Sequence, residues 1–177
     1  MDLKVPLQDI DKATLTQENP CSDGICRERL CGRMKRELRY FRFLAEEDLD
    51  EAAAYFECRQ VENGKSLWRE GDEGAFAAFV ISGRVEINKL TEFGAKPIVV
   101  GIYSRGAVIG ERSLLEDGGR SETAVVLDHA DLVILTRASF QRMVEEHPGL
   151  GVKLLEGMLL TVSRRLQRSY ERLAAIF

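Results

Sequence analysis

Between Gly110 and Ala124 the chain sets a Gly-Glu pair, Gly110-Glu111, and an Arg-Ser pair, Arg120-Ser121, at the two ends of a short loop that contains Gly118-Gly119. These residue types suit a small phosphorylated ligand. A carboxylate such as Glu111 accepts hydrogen bonds from a sugar hydroxyl. The guanidinium of Arg120 holds a phosphate through a planar fork of donors. The glycines let backbone N–H groups approach the same anion. Two further charges stand directly beside these pairs, Arg112 after Glu111 and Glu122 after Ser121. A carboxylate beside a phosphate repels it unless the carboxylate points away or pairs with a cation. Arg112 can be that cation; otherwise the site is weakened, altered in specificity or empty.

No enzyme constellation accompanies this loop. The two histidines, His129 and His147, have no Ser, Cys or Asp neighbours at nucleophile spacing, so no catalytic residue is assigned. The cysteines Cys21, Cys26 and Cys31 form C-x4-C-x4-C, with Cys58 further on. Zinc sites more often pair their cysteines in twos at tighter spacing. On a helix, Cys26 and Cys31 would lie about 140° apart around the axis and would not face one metal. Free thiols in a reducing compartment, with Cys58 as a small buried hydrophobe, are the simpler reading. Cys21, Cys26 and Cys31 are kept as metal or redox candidates in the competing hypothesis.

The elements that must carry the loop follow from periodicity. Residues 25–43 show a helical stripe of Ile25, Leu30, Met34, Leu38 and Phe41, and Glu46–Phe56 reads as a short helix with Leu49, Ala52, Ala53 and Phe56 on one face. From Cys58 to Arg137 short apolar runs alternate with turn signals such as Asn63-Gly64, Gly71-Asp72 and Ser82-Gly83. Strands are expected around Val80–Ile81, Val85–Ile87, Ile98–Ile102, Val108–Ile109, Ala124–Leu127 and Leu132–Leu135. Turns at this frequency point to a β-roll or jelly roll. Ser113–Glu116 is expected to make one helical turn within it. A short helix Ser139–Glu146, a break at His147-Pro148-Gly149 and a long helix from about Leu150 to Ala175 complete the chain. That helix carries a near-heptad seam, Leu155, Leu159, Val162, Leu166, Tyr170, Leu173 and Phe177.

With 177 residues and 45% apolar content the chain can bury a sizeable core. The net charge of −4 argues against a surface built for nucleic acid. The seven basic residues between Arg27 and Arg42 read as a solvated helix face. No apolar run approaches the length of a transmembrane helix, and no secretory signal core is present, so a cytoplasmic location without membrane association is expected.

The segment Gly110-Glu111-Arg112-Ser113-Leu114, followed by Arg120-Ser121-Glu122-Thr123, resembles the phosphate-binding cassette of cyclic-nucleotide-binding domains. Those domains occur in the catabolite activator protein family, in protein kinase regulatory subunits and in cyclic-nucleotide-gated channels. Gly110, Glu111, Ser113, Leu114, Arg120, Ser121 and Thr123 fit the family pattern; Arg112 and Glu122 depart from it. Upstream, Val61 to Asp72 is similar to the family's glycine-bearing hairpin, and Phe79 to Ile87 to its strand pair. Arg164-Arg165-Leu166-Gln167 is similar to the activator's dimer helix, where the residues next along contact the base; Ser169 and Tyr170 occupy those positions.

The resemblance implies a mainly β fold, a β-roll or double-stranded jelly roll with N-terminal helices and a long C-terminal dimer helix. It implies a partly helical appendage at 1–39 and a cyclic-nucleotide-binding domain at 40–177. The implied ligand site is Gly110, Glu111, Arg112, Ser113, Arg120, Ser121, Thr123, Ser169 and Tyr170, for cAMP or, less favoured, cGMP as regulatory ligand, with no covalent cofactor. Phe177 falls where the activator family has its hinge, so the expectation is a stand-alone homodimeric sensor that does not bind DNA and signals to a protein effector. The competing hypothesis is a redox or metal sensor on a ligand-free scaffold. The oxygen-sensing branch of the activator family carries an iron–sulfur cluster on N-terminal cysteines, with a shorter first gap than here.

Overall fold

A computed structural model describes Gly32, Arg36 and residues 44–91 and 96–175. The cysteines Cys21, Cys26 and Cys31, most of the expected helix 25–43 and Phe177 lie outside the described residues. Among the described residues, eight strands form two four-stranded antiparallel sheets. The first sheet has the order β1 (Phe56–Val61), β8 (Ala130–Thr136), β3 (Phe76–Val80), β6 (Val108–Ile109). The second has the order β2 (Ser66–Trp68), β7 (Thr123–Val126), β4 (Arg84–Leu90), β5 (Pro97–Ser104). Helices α1 (Glu46–Ala53), α2 (Arg137–Glu146) and α3 (Pro148–Ala174) flank the roll. The expected β-roll with flanking helices is the fold observed.

Strands β3 and β8 show why the sheets stack as they do. Side chains on a strand alternate between faces. On β3, Ala78 and Val80 join Leu132 and Ile134 of β8 in the core between the two sheets, with Val85, Ile87, Ala124 and Val126 opposite. The alternate residues, Ala77, Phe79, Val133 and Leu135, face the helices and pack on Leu49, Phe140, Met143 and Leu154. Both faces of these central strands are covered, so both read as continuous apolar runs rather than alternating ones.

Several expectations need correction. The Val61–Asp72 and Phe79–Ile87 segments are not hairpins within one sheet. Strand β1 pairs with β8 whereas β2 pairs with β7, and β3 pairs with β8 and β6 whereas β4 pairs with β5 and β7. Each turn hands the chain from one sheet to the other. At the second, Gly83 has φ +80°, and a Cβ there would lie 2.5 Å from the His129 carbonyl oxygen. Helix α1 stops at Ala53 rather than Phe56, because Phe56 opens β1 and sets its ring edge-on to Phe79 at 5.7 Å. The expected turn at Ser113–Glu116 is a 3-10 helix at Glu111–Leu114. Helices α2 and α3 each begin two residues earlier than periodicity suggested. The Thr136 hydroxyl accepts from the Ser139 amide and caps α2, and Pro148 starts α3.

Polar contacts fasten α1 to the α2–α3 elbow. Lys153 donates to both carboxylate oxygens of Asp48 at 2.9 and 2.7 Å, and this contact holds the Asp48 carboxyl below the ordinary carboxylate range. His147 Nδ1 lies 3.2 Å from Glu51. The Tyr55 hydroxyl donates to Glu146; burial, reinforced by that carboxylate, pushes the phenol up to about 12.

The crossover at Gly83 yields the first prediction. Gly83→Ala forces a left-handed backbone and a steric overlap together. It is expected to lower the unfolding free energy by about 2–4 kcal/mol, read from urea denaturation midpoints.

Candidate functional site

The cassette starts where β6 ends. Gly110 adopts φ +70°, and a Cβ at that position would fall 2.4 Å from Nη1 of Arg120 and 3.1 Å from the Trp68 ring. Only glycine lets the chain turn that close to the guanidinium. The 3-10 helix follows, with Leu114 buried in the helix-side core as its anchor. After Gly118 the chain runs back along the β2–β3 loop. The Gly74 amide donates to Gly118, the Arg120 amide to Asp72 at 2.7 Å, and the Gly71 amide to Arg120 at 2.8 Å. This backbone zipper sets the position of Arg120.

Arg120 is the only charged residue among the described residues that is buried, at 5% exposure. Its guanidinium carbon sits 3.9 Å from the centroid of the Trp68 ring and 4.7 Å from that of Phe76. Nη1 donates to Ser113 Oγ at 3.0 Å and Nη2 to the Phe76 carbonyl at 2.8 Å. Nε has no protein partner. Burial lowers the guanidinium to about 10, against the raising influence of Asp72 and Glu122, so Arg120 remains cationic at neutral pH. A buried cation with no salt-bridge partner favours an anion nearby.

Glu111 and Arg120 line one cleft of about 150 Å3. The Glu111 carboxylate pairs with Arg165 of α3 at 3.3 Å. Arg165 also donates to the Val108 carbonyl at 2.6 Å and rests over the Tyr103 ring at 4.5 Å. Ser113, Ser121, Glu122, Arg112 and Gly110 share the lining with Trp68, Tyr103 and Arg165. Two carboxylates, Glu111 and Glu122, and three arginines, Arg112, Arg165 and the buried Arg120, thus line one small cleft. Such an arrangement can hold a ligand that carries both hydroxyls and an anionic group.

Not every expected residue faces this cleft. Arg112 pairs with Glu116 at 3.0 Å, not with Glu122; the i,i+4 spacing favours the local partner. Glu122 lines the cleft near Arg120. The Thr123 hydroxyl accepts from the Glu70 amide at 3.0 Å and steadies the start of β7. Ser169 donates to the Arg165 carbonyl one turn back on α3, and Tyr170 is 60% exposed; neither lines the cleft. Cys58 is half-buried against the helix-side core. Among the described residues no group of three or more His, Cys, Asp or Glu can hold a metal.

Arg165, Trp68 and Tyr103 are among the lining residues not assigned to the site from the sequence. Arg165 stood only as part of the helix motif, and Trp68 only as the hairpin aromatic. Tyr103 carried no signal, because its partner Arg165 lies more than sixty positions away.

Residues 58–147 match the model of the family described as "Cyclic nucleotide-binding domain". The chain is 32% identical over 108 residues to the cyclic AMP receptor protein of Thermus thermophilus, covering 61% of this chain and 50% of that one. It thus spans half the length of that relative, and 7% of a lysophospholipase of Aspergillus fumigatus to which it is 28% identical over 113 residues, 64% of this chain. A crystal structure of a cyclic nucleotide-binding domain from Methylobacillus flagellatus shares the fold, with a TM-score of 0.74 at 22% identity over 92% of this chain and 97% of that one. The regulatory domain of Toxoplasma gondii PKA, co-crystallised with cAMP, aligns with a TM-score of 0.58 at 28% identity, over 71% of this chain and 47% of that one. No helix among the described residues is long and apolar enough to cross a membrane. With the family match over half its length and the cassette folded as described, this chain belongs to the cyclic nucleotide-binding domain family, a regulatory fold.

Proposed function

We propose that residues 40–177 bind cAMP as a regulatory sensor, without catalysis of their own, and act in the cytoplasm as a homodimer that signals to a protein effector. Residues 1–39 are then an appendage to that unit. The single observation that carries the ligand reading is the convergence of Glu111, Arg120 and Arg165 on one cleft. Glu111 accepts from the ribose 2′-hydroxyl. Arg120 and Ser121 take the cyclic phosphate, with the backbone around Gly110 and Ser113 beside them. A phosphate in the cleft offsets the burial of Arg120, whose charge has no carboxylate partner of its own.

The same geometry suggests how binding is read out. In this structure Arg165 links α3 to Glu111. A ribose hydroxyl competes for that carboxylate, and a phosphate competes for Arg165. Occupancy therefore changes the contacts that hold α3 against the cassette, and biases the helix between two positions. Closure of α3 over the base would bring Ser169 and Tyr170 toward the ligand. The choice of cAMP over cGMP rests on the likeness to the Thermus receptor and to the kinase domain crystallised with cAMP.

The dimer reading rests on α3. Its first half is buried through Leu150, Leu154 and Met158, but Leu159, Leu160, Leu166, Tyr170 and Leu173 are exposed. A helix that presents this much apolar surface beyond its own domain is suited to a second copy of itself. The competing cysteine-based sensor would rest on Cys21, Cys26 and Cys31, which lie outside the described residues, and no described residue favours it.

Calorimetric titration of the full chain with cAMP and with cGMP tests the ligand. cAMP is expected to bind more tightly, and Arg120→Ala to weaken it by about 100-fold or more; heat from neither nucleotide would sink the reading. Glu122→Ala is expected to act in the opposite direction. Removal of a carboxylate close to the anion should tighten binding about three- to tenfold, most visibly at low salt. For the dimer, sedimentation equilibrium of Leu166→Glu should show monomer at concentrations where the parent chain is dimeric. A parent chain that sediments as a monomer would remove the dimer from the proposal.

A further inference from the structure

Arg137, the first residue of α2, has no place in the ligand contacts above. Its guanidinium lies against the cassette. Nε donates to the Ser113 carbonyl at 2.7 Å. Nη2 donates to the Gly74 carbonyl at 2.8 Å and to the Glu116 carbonyl. Nη1 pairs with the Asp117 carboxylate. Arg137 is 19% exposed whereas Asp117 is 98% exposed, so the carbonyl contacts and not the surface carboxylate define the arrangement.

These acceptors belong to two segments that must keep a fixed relation. Ser113 and Glu116 flank the end of the 3-10 helix, whose last carbonyls have no partner within so short an element. Gly74 belongs to the β2–β3 loop that zippers to Gly118–Arg120. A Cβ on Gly74 would fall 2.5 Å from Ser113 Oγ, so the two segments are already in close contact. Ser113 is held by two arginines: its carbonyl accepts from Arg137, and its hydroxyl accepts from Arg120. Five donors on a rigid plane suit this task; an ammonium on a flexible stem cannot reach three carbonyls at once.

We propose that Arg137 is a positioning residue for nucleotide recognition. By holding Ser113, Glu116 and Gly74 together it keeps the cassette in the shape that aims Arg120 and Glu111 at the cleft. It does so from the first residue of α2, so the loop and the helix move as one piece. This inference rests on the ligand reading above.

The test uses the full chain with Arg137→Gln, Arg137→Lys and Asp117→Asn, and two measurements. The first is cAMP affinity by calorimetry. Arg137→Gln is expected to weaken binding by about tenfold or more, Arg137→Lys to recover part of that loss, and Asp117→Asn to stay within about twofold of the parent. The second is amide hydrogen exchange without nucleotide. Exchange should quicken in 111–120 of Arg137→Gln while β3 and β8 remain protected. Parent-like affinity in Arg137→Gln overturns the proposal, as does faster exchange spread evenly through both sheets, which would mark a purely structural role. If the Gln variant does not fold, parent-like affinity in Arg137→Lys overturns it equally. A parent chain that binds no nucleotide defeats the ligand reading instead, and the exchange comparison then decides whether Arg137 shapes the cassette.

Discussion

A guanidinium buried between two aromatic rings is the constraint on which the rest of this site depends. Moving a cation out of water is costly, and an unpaired one is tolerated only where dipoles and π faces replace part of its hydration. Arg120 has Trp68 and Phe76 on its faces, a carbonyl and a hydroxyl at its donors, and no salt-bridge partner. Each of those neighbours comes from a different element. Trp68 ends β2, Phe76 begins β3, and Ser113 sits on the 3-10 helix. Arg120 can be held only once both sheets are stacked, so the site forms together with the core between them.

The backbone around it is shaped by the same need. Gly110 turns in the left-handed region because any side chain would strike Arg120, and the β2–β3 loop supplies amides and carbonyls that fix the strand before β7. The cleft then combines opposite charges at short range, with Glu111 and Glu122 beside Arg120 and Arg165. A site of this kind is poised rather than saturated. The Glu111–Arg165 pair satisfies both groups in the free chain, and it adds a polar link between the cassette and α3 to the apolar core that Leu114 shares with Leu150, Leu154 and Met158.

Much of the fold was legible because period and punctuation agreed. The buried runs Val80–Ile81 and Leu132–Leu135, the glycines at turns and the seam of α3 each mark an element, and each was found near its expected place. The two crossovers were not legible. A turn with Gly83 at its centre reads alike whether the strands it joins pair with each other or enter different sheets, because the choice is made by strands β7 and β8, some forty positions away. Strand β1 was hidden by Glu57, Arg59 and Gln60, which lie on a half-covered edge where burial does not select apolar residues.

The residue types of the site were set by the sequence alone. Gly110, Glu111, Ser113 and Arg120 are bound to lie within one short loop, and their chemistry follows from their side chains wherever that loop sits. What they touch was decided only by the tertiary structure. Arg112 turned to Glu116, one helical turn away, because a local partner costs less chain ordering than Glu122 across the loop. Arg165 and Tyr103 reached the cleft through the packing of α3 and β5, and no spacing in the chain announces a contact between residues so far apart. The aromatic cage around Arg120 likewise exists only when two sheets meet, since a buried charge is stable where several distant groups are brought to it at once.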